Sequence, residues 1–150
     1  MRIGKTQKID WKQYDCRNFK FIPQVNYGEC GGFALHILTK QPYEKIAKMS
    51  RKGHWPNSVM FDYLRRYGCE IIPVTLGNTV NAHSVKKGKP KIGPRNVLLI
   101  NQHVYKEEST WSVIYNNHWA HSGDVEMLDP MQFINWPIAE AYLIYNKDWK

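Results

Sequence analysis

At Gly68 the apolar period of this 150-residue chain changes. Before it, apolar residues crowd the run after Cys30 (Phe33, Ala34, Leu35, Ile37, Leu38) and recur at helical spacing after Pro56 (Val59, Met60, Tyr63, Leu64, Tyr67). After it come short segments of branched and aromatic residues separated by turn residues: CEIIPVTL, NVLLIN, STWSVIY, HWAHS, VEMLD and AYLIYN. Helices first and strands second predict an α+β fold, with the helical half packed on one face or end of an antiparallel meander. The length suffices for one core without disulfide or metal staples, and no repeat, low-complexity segment or linker divides the chain. A single domain over 1–150 is expected.

Punctuation fixes the elements further. Residues 1–23 read as an extended arm, and Pro23 favours an extended Ile22. The run from Cys30 to Thr39 is dense enough in apolar residues for a helix buried on most sides. Pro42 opens a second, shorter helix, YEKIAKMSRKG, closed by Gly53. Asn57 or Ser58 can cap a third that Gly68 stops. Pro73 places the strand Cys69–Leu76 at an edge or on a bulge.

Cys16, Cys30 and Cys69 are odd in number and unclustered, which argues against a disulfide framework and against a zinc site. A reducing, cytoplasmic setting fits them. No signal-type run opens the sequence and no stretch approaches the roughly 18 apolar residues of a membrane span. The net charge of +8 raises the question of nucleic acid. Its main concentration, Lys86 to Arg95, is broken by glycine and proline and carries no groove-reading motif, so it reads as a solvated connection or a patch for a generic acidic partner, and nucleic-acid binding is the runner-up.

The chemistry centres on Gln24-Val25-Asn26-Tyr27-Gly28-Glu29-Cys30-Gly31-Gly32. Cys30 follows a glycine-containing turn and opens a helix, where free backbone N–H groups and the helix dipole favour a thiolate, the nucleophilic form. Gln24, six residues earlier, can donate a side-chain amide hydrogen beside the thiol and, with the Cys30 N–H, form an oxyanion hole. Gly31 and Gly32 are expected to leave space around the nucleophile.

A thiolate needs an imidazole partner, and that partner needs a polar group to orient it. Of the six histidines, His36 lies six positions along the helix from Cys30, His54 and His83 lie in connections, and His103 follows a strand and is the reserve candidate. His118 is preferred. If Gly123-Asp124 is a two-residue hairpin turn, Ser122 pairs with Val125 and His118 with Asp129, whose carboxylate can fix the imidazole tautomer. His121 would then project from the opposite face.

Gln24 and Cys30, then His118-Trp119, then Asp129-Pro130 resemble the pattern of the papain-like cysteine peptidases. The pattern is most similar to the compact leader-processing, double-glycine peptidase domains of bacteriocin-exporting ABC transporters. The resemblance implies a papain-like α+β fold with a central cysteine-bearing helix. It implies thiol acyl transfer, usually peptide hydrolysis, with Cys30 as nucleophile, His118 as general acid/base, Asp129 as orienter, Gln24 as oxyanion donor and no cofactor. The same residues would serve an acyltransferase, and a basic binding module on the same fold is the rival from another class.

Overall fold

The computed structural model describes residues 10–21, 30–50, 55–74, 95–105, 108–115, 118–121 and 138–150. It mixes helix and antiparallel sheet. Three α-helices, α1 (Cys30–Thr39), α2 (Tyr43–Ala47) and α3 (Asn57–Arg66), precede five strands, β1 (Cys69–Val74), β2 (Val97–Tyr105), β3 (Glu108–Tyr115), β4 (His118–His121) and β5 (Ile138–Asn146).

Each helix ends where its chemistry directs. α2 starts after Pro42, whose fixed backbone suits a helix entry, but it is shorter than the sequence implied and gives way to a turn at Lys48 and Met49. Gly53 lies outside the described residues. α3 starts after Pro56, with no side-chain cap. The Asn57 amide, expected as a cap, instead donates to Glu140 Oε1 at 2.9 Å and to the Tyr142 hydroxyl at 3.3 Å. Gly68 closes the helix in the left-handed region, at φ +88°, with its N–H donating to the Arg65 carbonyl.

The strands form one sheet in the order β1-β5-β2-β3-β4, every neighbouring pair antiparallel. β2, β3 and β4 form the expected meander. β5 does not extend it: this last strand returns to the middle, between β1 and β2. Of the two places Pro73 allowed, an edge or a bulge, β1 takes the edge, since proline has no ladder N–H to give a second neighbour. The VEMLD segment lies outside the described residues.

Alternation along the strands separates two cores. Val97, Leu99, Trp111, Val113 and Ile144 pack with the buried residues of α1 and α3. Leu98, Ile100, Ile114, Ala141 and Leu143 form a second cluster on the other face, against which Trp11 and Tyr14 pack. α1 lies over β3 and β4, and α3 over β1. The N-terminal segment is not simply extended. Trp11–Tyr14 is a 3-10 turn capped by the Asp10 carboxylate, and Cys16 and Phe19 are fully in the core. Residues 1–9 lie outside the described residues. No described helix is long and apolar enough to cross a membrane.

Candidate functional site

Cys30 is the first residue of α1 and is half-buried, while Gly31 to Leu38 behind it are all buried. The other two cysteines have no such setting. Cys16 and Cys69 are buried, and loss of hydration pushes each thiol up to about 11 from 9.0. Their thiolates are correspondingly scarce at neutral pH, so of the three only Cys30 combines partial exposure with a helix start.

The two glycines after Cys30 do not leave open space. A Cβ on Gly31 would stand 2.4 Å from Trp55 Cγ and 2.5 Å from Trp55 Cβ; one on Gly32 would stand 2.9 Å from Trp55 Cζ2 and 3.2 Å from Tyr43 Cε2. The indole therefore lies against the first turn of α1 in the room the missing side chains provide. Trp55 is 7 % exposed, and its Nε1–H meets no acceptor among the described residues. Nε1 lies in the ring between Cδ1, which faces Gly31, and the Cζ2 edge, which faces Gly32, so the donor sits along the turn that Cys30 opens. Trp55 went unremarked in the sequence. Adjacent glycines inside a helix are the signal, since each costs about 1 kcal/mol against alanine and calls for a close neighbour.

The level of Cys30 along the sheet follows from the ends of α1. Its last turn, Leu38 and Thr39 with Lys40, borders a small cavity shared with Tyr67, Asn146 and Trp149. Its first turn packs on Trp55, two residues before Asn57, and Asn57 bonds to Glu140. Glu140 pairs with Asn101, and Asn101 with Trp111. α1 thus begins at the Glu140–Asn101–Trp111 end of the sheet and finishes at the Asn146 end.

His118 opens β4, as expected, and pairs with Tyr115, which puts its strand position on the face covered by α1. Its level is that of Tyr115. The Tyr115 ring lies 5.0 Å from Phe19, which lies 4.9 Å from Trp149, so this row belongs to the end where α1 finishes. His121 pairs with Ser112, on the opposite face. His36 is engaged at the far end of its own helix, where Nδ1–H donates to the Gln41 carbonyl at 2.7 Å. His103 pairs with Ser109 at the other end of the sheet. Gln24 and Asp129 lie outside the described residues, as do His54, His83 and all of the basic loop except Arg95.

No known family model and no curated protein matches this chain. Among the described residues no group of His, Cys, Asp and Glu is placed to hold a metal ion.

Proposed function

We propose that this protein is a thiol-dependent hydrolase of peptide or amide bonds with a papain-like fold, and that Cys30 is its nucleophile. One observation carries the reading: Cys30 is the half-buried first residue of a ten-residue helix, while both other thiols are buried and raised. The dipole and free N–H groups of the first turn favour negative charge at that place.

In the proposed reaction the thiolate adds to the substrate carbonyl, forming a C–S bond as the carbonyl electron pair moves to oxygen. The Cys30 N–H and the Gln24 amide would hold that oxyanion. Collapse expels the amine, which takes its proton from the imidazolium partner. Water, deprotonated by the same imidazole, then cleaves the thioester and returns the thiol. The resemblance implies His118 for that imidazole and Asp129 for its orienting carboxylate, whereas the strand position of His118 lies in the row of Tyr115, at the end of the sheet where α1 finishes. The expected partner is a protein or peptide substrate in a cytoplasmic setting.

Incubation with a fluorogenic peptide-amide library, read for the wild type and for Cys30→Ser, tests the proposal. Cleavage that disappears in the variant supports it. Cleavage that survives in Cys30→Ser removes Cys30 from the chemistry.

A further inference from the structure

We propose that the concave surface where the N-terminal 3-10 turn meets the segment after β5 binds the phosphodiester backbone of a nucleic-acid strand, through Lys12, Arg17 and Lys150. None of these residues belongs to the proposed Cys30 site, and the inference does not rest on that site's chemistry.

Burial on either side shapes this surface. Trp11 and Tyr14 pack on the second core and leave Lys12 and Gln13 between them exposed. Cys16 and Phe19 are in the first core and leave Arg17 and Asn18 exposed. The backbone is pinned across the chain: the Cys16 N–H donates to the Arg95 carbonyl at 2.8 Å, the Asn18 N–H to the Trp149 carbonyl at 2.8 Å, and the Asn18 side-chain amide to the Lys150 carbonyl at 2.6 Å. Beside these bonds lies a cavity of about 450 Å³, bordered by Lys12, Arg17 and Lys150, with Asp15 as its acid. Asn18 also borders the cavity of about 220 Å³ at the end of α1, which adds Lys40 and Asp148. The two meet at Asn18.

The positive charge here is not neutralised. Among the described residues the ion pair is Arg65 with Asp62, on α3, and no carboxylate of those residues pairs with Lys12, Arg17, Lys40 or Lys150. The nearby Asp10 carboxylate accepts the Lys12 backbone N–H. Like charges gathered on one surface repel, and a bound polyanion relieves that repulsion.

The lining also selects the class of ligand. A small-molecule site is mostly apolar, with a few polar groups aimed inward. Here Lys12, Gln13, Arg17, Asn18 and Lys150 are polar and exposed. Exposed cations gain little from pairing with one small anion. A nucleic acid differs, because each phosphate that a cation neutralises releases condensed counterions, and that release drives binding even to exposed lysines and arginines. Every nucleotide carries such a charge, whereas acidic polypeptides are interrupted by neutral residues. Two adjoining cavities suit a chain crossing the surface better than a single phosphate group. Contacts of this kind fix position and read no base sequence.

The test is fluorescence anisotropy of a fluorescein-labelled, mixed-sequence single-stranded DNA oligonucleotide between about 50 and 200 mM salt. It is titrated with the wild type, with Lys12→Gln/Arg17→Gln and with the charge-matched control Lys48→Gln/Arg65→Gln, whose residues are exposed and border neither cavity. Loss of two phosphate contacts should weaken binding about tenfold at the lower salt and flatten the slope of log K against log salt by about 1.4, while the control stays within about twofold. A second readout uses the wild type alone: the oligonucleotide should slow acetylation of Lys12 and Lys150, mapped by mass spectrometry, and leave Lys48 unchanged. No binding at about 50 mM salt, equal weakening in the two double variants, or equal displacement by an alternating Glu-Gly peptide of the same length overturns the proposal. So does binding that survives in Lys12→Gln/Arg17→Gln and is lost in Lys86→Gln/Lys87→Gln/Lys89→Gln, which would put the nucleic acid on the basic loop.

Discussion

Replacing Gly31 with alanine sets two known effects against each other. Alanine is favoured over glycine inside a helix by about 1 kcal/mol, and less near an end. The new Cβ would stand 2.4 and 2.5 Å from Trp55 Cγ and Cβ, the root of that side chain. Rotating the outer indole does not relieve such a contact; the backbone at Trp55 or the start of α1 has to shift. Overpacking of this kind costs about 1–3 kcal/mol, so the clash wins and Gly31→Ala is destabilising by about 1–2 kcal/mol. Gly32→Ala meets ring edges at 2.9 and 3.2 Å, which a small tilt can relieve, and is the milder change. The assay is urea unfolding followed by circular dichroism, with Trp55→Ala and Trp55→Gly as backgrounds. Trp55→Ala keeps the Cβ at 2.5 Å and relieves Gly31→Ala only in part. Trp55→Gly removes both close atoms and should turn Gly31→Ala stabilising, although the background itself loses about 3–5 kcal/mol. An equal cost of Gly31→Ala in the parent and in Trp55→Gly would refute the reasoning.

Two further outcomes follow from the thiols and from the turn before Cys30. Burial raises the Cys16 and Cys69 thiols from 9.0 to about 11, so the stability they contribute is fully present below pH 9 and is lost as pH rises through 11. Urea midpoints measured from pH 8 to 11 should fall, and should fall less in Cys16→Ala/Cys69→Ala; Tyr63 and Tyr142, also raised by burial, add to the loss only above pH 10. Gln24→Ala should lower turnover on a cleaved peptide by about 10²–10³ with little change in thermal midpoint, and an unchanged rate would remove Gln24 from the site.

What the sequence made legible was local. The start of α1 at Cys30, the stop at Gly68, the edge strand with Pro73 and the opening of β4 at His118 all follow from caps, breakers and period. The place of β5 does not, because strand order is decided by pairings between residues far apart in the chain. A hint was present: AYLIYN is an unbroken apolar run, and Ala141, Leu143 and Ile144 are buried on both faces, as a central strand requires. The levels of His103 and His118 relative to Cys30 were hidden for the same reason. They depend on which way α1 runs over the sheet, and that is set by Trp55 and by the Asn57–Glu140 bond.

The central claim is that Cys30 is the reactive thiol. Limiting iodoacetamide applied to the native protein, followed by peptide mapping in a mass spectrometer, tests it directly. The account predicts label on Cys30 well before any on Cys16 or Cys69, which are buried and whose thiols are raised. Label appearing first on either of those, with Cys30 unmodified, would contradict it.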